Sequence, residues 1–213
     1  SLLASIRISQ MKNDEAIQAI EKSWQLFQEK KARLEMASNG DNTNSEGESD
    51  ASDLQMAYIE LAEPILTLAK YAIEMGLFEE AALIAASVQD INDQSVESLY
   101  LEGFSNYLNA KRIQNGIPKE KGRQISLDFT RFSLNTKVED SDPSSESISN
   151  ARNAFTAGFK LLQVDSVLEA TDKDVKKAVY CLLKELGGPV KSKKSVDTDI
   201  DDSAWESIVE SIE

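Results

Sequence analysis

The sequence predicts an all-α fold, and three observations predict it. Only 4 prolines and 9 glycines interrupt 213 residues. Apolar residues recur every three or four positions through most of the chain, and alternating β-branched and aromatic runs are scarce. Hydrophobic residues make up 41% of the chain, enough for one domain with its own core or a short array of repeats.

Residues 1–11 read as a short apolar helix carrying Leu2, Leu3, Ile6 and Ile8. Asn13 is placed to cap a second helix, with Asp14 and Glu15 near the positive end of its dipole. That helix spaces Ala16, Ile17, Ile20, Trp24 and Phe27 along one side and runs on through "EKKARLEM". Residues 38–53 carry acids and serines but no apolar face, so a mobile loop is expected there.

A third helix is expected over 54–75, with Leu61, Ile65, Leu68 and Ala72 on one side. Pro64 must either kink it or mark its first turn. Gly76 ends it, "LFEEAALIAASVQ" forms its partner, and "INDQS" turns the chain again. The partner places alanine at 81, 82, 85 and 86, a side chain small enough to let two helix backbones lie close.

"VESLYLEGFSNYLNAK" supplies the next helix. The pattern then breaks over 112–149, an insert with a basic stretch (Lys111, Arg112, Lys119, Lys121, Arg123, Arg131, Lys137) followed by the acidic "VEDSDPSSESIS". "SNARNAFTAGFKLLQ" resumes a helix. Thr171 and Asp174 form a Thr-x-x-Asp start, close to a capping box, for "DKDVKKAVYCLLKEL". Gly187, Gly188 and Pro189 end that helix. The expected organisation is a helical domain over 1–188 and an acidic tail over 189–213. In the tail "KSKK" and "DTDIDD" lead to a short helix with Trp205, Ile208, Val209 and Ile212 on one face.

The residues missing from the chain limit its chemistry. It has no histidine, which removes Ser-His-Asp and Cys-His catalysis and every zinc site that uses histidine. Phosphate-binding glycine loops and CxxC pairs are also absent. No catalytic residue, metal or cofactor is expected, and the chain is read as a non-enzyme. Cys181 is the one cysteine, consistent with a reducing compartment, and "VYCLL" around it predicts a small buried hydrophobe. No run is long and apolar enough to span a bilayer. The chain begins at Ser1, so a fragment of a longer protein is expected, and no secretory signal is visible.

Net charge is −14 and the isoelectric point is near 4.5. Such a surface repels nucleic acid and attracts a basic protein or peptide.

"ILTLAKYAIEMGLFEEAALIAASVQDIND" resembles the tetratricopeptide repeat, two antiparallel helices in about 34 residues. Leu68-Ala69 matches its Leu-Gly pair, Gly76 its turn, and Ala81 and Ala85 its small second-helix positions. Asp93 stands where the final proline would be. Weaker matches begin at Leu3-Ala4 with Ala16 and Ile20, and at Gly103 and Tyr107 with Ala151, Phe155 and Gly158. The resemblance implies a right-handed superhelix whose first helices line a groove, with "DKDVKKAVYCLLKEL" as the end cap.

Groove positions would be Glu63, Leu66, Lys70, Tyr71, Ile73, Glu74, Glu97, Tyr100, Phe104 and Tyr107, joined by Trp205 from the tail. Acids and aromatics suit an extended Arg/Lys-rich segment, although the same residues also serve as core and solvated face.

"VESLYLEGFSNYL", "ARNAFTAGFKLLQ", "LLKELGGPV" and "DIDDSAWESIVESIE" together resemble the fungal dedicated chaperones of large-subunit ribosomal protein uL-four. That resemblance implies a monomeric chaperone in cytoplasm and nucleus. It would bind the newly made basic ribosomal protein, shield its long internal loop and escort it to pre-ribosomes. Charge and hydropathy give the expectation of no nucleic acid and no membrane as partner. A general tetratricopeptide co-chaperone or scaffold adaptor is the alternative. An acidic histone chaperone and an acid-only metal hydrolase are further ones.

Overall fold

The computed structural model describes residues 2–39, 56, 59–119 and 131–190, and all regular structure among them is helical. Eight helices are described: α1 (Leu2–Ser9), α2 (Asn13–Asn39), α3 (Ala62–Glu74), α4 (Phe78–Ala86), α5 (Val96–Gln114), α6 (Ser145–Leu161), α7 (Asp165–Ala170) and α8 (Lys173–Glu185). A 3-10 turn, Ser87–Asp90, extends α4.

Local chemistry sets several of these ends. Pro64 lies in the first turn of α3, where its missing N–H is no loss, so the helix starts later than 54 and carries no proline in its interior. Gly76 then takes φ 70°, and the backbone N–H groups of 76 and 77 bond back to Ile73 and Ala72. Ser95 caps α5 by accepting from the Ser98 N–H. The cap of α8 differs from expectation: Asp172, not Thr171, accepts from the N–H groups of Asp174 and Val175. Thr171 instead donates to the Val167 carbonyl of the short helix α7, which the sequence pattern does not reveal.

Successive helices pack as hairpins: α1 with α2, α3 with α4, α5 with α6. The hairpins stack through α2 on α3, α4 on α5, and α3 on α5, and α8 closes the end against α6 and α5. Contact order along the helices gives their directions. Gln89 bonds Ser98 while Glu79 meets Arg112, so α4 and α5 run antiparallel. Gly158 lies beside Leu99, Gly103 under Phe155, and Ser147 bonds Asn109, so α5 and α6 are also antiparallel.

Two apolar cores result. One gathers Ala16, Ile20, Ile65, Leu68, Ala69, Ala72, Ala81, Ile84 and Ala85 from the first two hairpins. The other gathers Val96, Tyr107, Ala151, Phe155, Phe159, Val179 and Leu183. Ile73 and Tyr100 pack against both cores and join them. Ala81 and Ala85 are fully buried and make the close contact expected of them, whereas Ala82 and Ala86 are only half buried. Cys181 is exposed on α8, contrary to the buried position expected, because its turn of the helix faces away from Val179 and Leu183.

The insert is shorter than 112–149, since α5 continues to Gln114 and α6 begins at Ser145. Residues 132–139 form an ordered strap without regular structure. Phe132, Leu134, Thr136 and Val138 are half buried while the residues between them are exposed, and three of the four pack against the second core. The side chain of Gln114 holds this strap, donating to the Asn135 carbonyl and accepting from the Asn135 N–H, both at 2.8 Å. The expected loop at 38–53 lies outside the described residues beyond Asn39, and so do 191–213.

Gly103 and Gly158 separate two uses of a small residue. A Cβ on Gly103 would fall 2.7–2.9 Å from ring carbons of Phe155, which is fully buried. A Cβ on Gly158 would meet nothing closer than 3.7 Å. Gly103→Ala is expected to destabilise the protein by about 1–3 kcal/mol through overpacking. Gly158→Ala should be neutral or stabilising by up to about 1 kcal/mol through helix propensity. Urea unfolding followed by circular dichroism measures both.

Candidate functional site

Helical spacing places Glu63, Thr67, Lys70 and Glu74 in one line on α3, and Glu97, Tyr100, Phe104 and Tyr107 in one line on α5. Lys70 Nζ meets Glu97 Oε1 at 2.7 Å, so the two lines adjoin. Together they form a face with three acids, one base and a run of aromatic rings. Glu63 and Glu74 are exposed, and Glu97, Tyr71, Tyr100 and Phe104 are half buried.

The rings are ordered by one another. Tyr100 stacks on Phe104 at 5.6 Å between centroids and 14° between planes, and Phe104 stacks on Tyr107 at 6.4 Å and 17°. From below, Phe155 supports Tyr100 at 6.5 Å. Burial pushes the Tyr100 phenol above its ordinary value, so it stays neutral and acts as a hydrogen-bonding aromatic surface.

Three expected groove residues do not fit the face. Tyr107 is 4% exposed: α8 covers it, and its hydroxyl donates to Glu185 Oε1 at 2.6 Å. Burial, then the Glu185 carboxylate, drive its pKa strongly upward. Leu66 is a core residue of the first cluster, and Ile73 is shared between the two cores. Each faces inward because stacked hairpins bury the sides of α3 and α5 that adjoin their neighbours. Tyr71 packs partly on the first core, and Trp205 lies outside the described residues.

Three bases of the stretch, Lys111, Arg112 and Lys119, are drawn into the fold, whereas Arg131 and Lys137 are exposed. Lys111 is 4% exposed with its Nζ 4.5 Å above the Tyr107 ring. Arg112 is 8% exposed, donating to Asn109 Oδ1 at 2.7 and 3.0 Å and to Glu79 at 3.1 Å. Lys119 bridges Glu79 and Glu80 at 2.7 and 3.1 Å. The hydrogen bond with Glu79 is the main influence holding its ammonium above the ordinary range. Asn109 in turn accepts from Arg112 and donates to Ser147, which ties α4, α5 and α6 into one polar network. Sequence pattern hid this network, although Asn109 and Arg112 three residues apart on an otherwise apolar side were its signal. Lys121 and Arg123 lie outside the described residues.

A second concavity of about 500 Å³ lies between α2 and α4, lined by Trp24, Phe27, Leu83 and Ala86 and edged by the Lys31–Asp90 ion pair. Among the described residues no group of three or more acids or cysteines could hold a metal ion, and no helix is long and apolar enough to cross a membrane.

Stacked helical hairpins carrying an acidic, aromatic face define the class, an all-helical hairpin stack. Residues 94–202, just over half of the chain, match the family model described as the ACL4 C-terminal domain. The chain belongs to that family, a family of ribosomal-protein chaperones. The match runs from the turn before α5, through α8 and on to residue 202. No curated protein and no solved structure matches the chain.

Glu102 was not singled out by the pattern. It is half buried on the side of α5 opposite the aromatic line, with no hydrogen bond or ion pair from its carboxylate to a described residue. Desolvation raises its pKa above the ordinary 4.5. Above the raised folded value the ionised group destabilises the fold, and below 4.5 both states are protonated and the penalty vanishes. Glu102→Gln is therefore expected to raise the melting temperature at pH 7, with the gain shrinking as pH falls toward 4.5. Calorimetry across that range checks the sign.

Proposed function

We propose that the chain is a non-enzymatic dedicated chaperone for a basic ribosomal protein of the large subunit, of the uL4 type. It shields that protein's long Arg/Lys-rich loop and accompanies it from cytoplasm to nucleus. The hairpin stack is a tetratricopeptide superhelix, with α3 and α5 as groove-lining first helices and α8 as its end cap. The observation that carries this proposal is the joined face of α3 and α5.

On that face Glu63, Glu74 and Glu97 offer carboxylates beside the stacked Tyr100 and Phe104. A guanidinium takes both kinds of contact, pairing with the carboxylate while lying over a ring. The protein uses the second contact itself where Lys111 lies over Tyr107. A net charge of −14 raises the encounter rate with a cationic segment and disfavours RNA as a competitor. Family membership supports a ribosomal protein as the bound class. Acidic groove positions argue against capture of a carboxylate-rich C-terminal peptide, the ligand of the co-chaperone alternative.

Titration calorimetry of the full chain with a synthetic uL4 loop peptide tests the proposal. Binding should weaken steeply with salt. Glu63→Gln, Glu74→Gln and Phe104→Ala should each lower affinity by about two- to fivefold, in keeping with roughly 0.5–1 kcal/mol for an exposed ion pair or cation–π contact. Lys70→Gln should tighten binding, because it frees the Glu97 carboxylate. Indifference to all four substitutions, or capture of a carboxylate-terminated peptide by the same face, would overturn the proposal.

A further inference from the structure

The far end of the stack carries charge of the opposite sign. On α8, Lys173, Lys177, Tyr180 and Lys184 recur at spacings of four, three and four, one stripe along the helix. On α6, Arg152, Thr156 and Lys160 form a parallel line. Phe159 meets Tyr180 edge-on at 5.9 Å and 75°, so the two lines border one seam. Lys160, Lys173 and Lys177 are exposed and make no ion pair with any described residue. In a chain of net charge −14 such a cluster is out of character with the rest of the surface. The neighbouring Asp172 and Asp174 keep their charge, but neither pairs with the three lysines, and the Asp172 carboxylate caps α8.

The described chain also shows where the segment after α8 goes. Gly187 and Gly188 take φ of 91° and 81° and reverse the backbone. Arg152 then binds the carbonyls of Gly188 at 2.7 Å and Gly187 at 3.1 Å, and the Val190 N–H donates to Thr156 Oγ1 at 3.1 Å. From 188 to 190 the chain thus advances one turn along α6, in the direction of Lys160. Because Val179 lies at Gly158 and Gly188 at Arg152, α6 and α8 are antiparallel. The departing chain therefore runs back along α8 toward its N-terminus, inside the seam.

Seven residues beyond Val190 span at most about 25 Å, and the 13-residue α8 is about 20 Å long. The acids Asp197, Asp199, Asp201 and Asp202 therefore come within reach of the first turns of α8. Residues 195–213 contain no lysine or arginine.

We propose that the acidic segment 197–202 docks on the Lys160–Lys173–Lys177 cluster in the α6–α8 seam. The protein then covers this basic cluster with its own tail, and the seam is closed to acidic partners. This proposal is independent of the client-binding proposal, and its test contains no client.

Cys181, the one cysteine, is exposed between Lys177 and Lys184 and takes a nitroxide label without mutation. In the labelled full chain at low salt, the amide signals of 197–202 should be broadened. The broadening should be lost near 1 M salt, where the screening length is about 3 Å. It should also be lost in the K160Q/K173Q/K177Q and D197N/D199N/D201N/D202N variants, while Lys30→Gln on α2 leaves it intact. Unbroadened signals at low salt would overturn the proposal, as would broadening that survives both sets of neutralisations. A polyglutamate peptide that binds the unaltered chain as tightly as the four-Asn variant would also overturn it, by showing the seam to be open.

Discussion

The close crossing of α5 and α6 is the constraint on which the rest of the structure depends. Phe155 lies where a side chain on Gly103 would be, so the two backbones approach as closely as an aromatic ring allows. That approach fixes the register of the helices on both sides. It brings Asn109 to Ser147, supports Tyr100 from beneath, and sets the angle at which α8 can close over Tyr107. Buried alanines at 69, 72, 81 and 85 do the same for the preceding hairpin at lower cost, since they need no glycine. Close helix pairs leave a line of each first helix uncovered, and those lines adjoin.

The polar network adds specificity to this packing. An apolar interface tolerates sliding, whereas the Glu79–Arg112–Asn109–Ser147 chain is satisfied in one register alone. The strap extends it, as Gln114 binds Asn135 and Ser144, and Ser144 binds Asp142. Arg112 and Lys119 are used internally in this way. The exposed face of α3 and α5 keeps its acids, and the far seam keeps its lysines. The chain thereby separates two charged regions that its composition merges into one number.

The all-helical class, the hairpin order and the buried alanines were legible because they depend on local spacing and side-chain size. Pro64 and Gly76 mark their boundaries through backbone chemistry that acts within one turn. The aromatic line on α5 was also legible as a line, but its accessibility was not. Tyr100 and Tyr107 are the same residue type on the same side of one helix. The second is buried because α8, 78 residues later, places Glu185 over it. Cys181 went the other way, exposed within an apolar string, because α8 has one neighbouring layer and not two. Arg112 and Lys119 looked like surface bases because their partners Glu79 and Glu80 lie more than thirty residues earlier.

The sequence by itself determined the helical periodicity, the small-residue contacts, the net negative charge and the absence of histidine chemistry, all properties of residue type and near neighbours. Tertiary structure decided which rings stay open, which bases are consumed in the interior, and that the chain after α8 turns back along α6. Those outcomes depend on contacts between residues far apart in sequence, whose geometry follows from how closely α5 and α6 pack rather than from any local pattern.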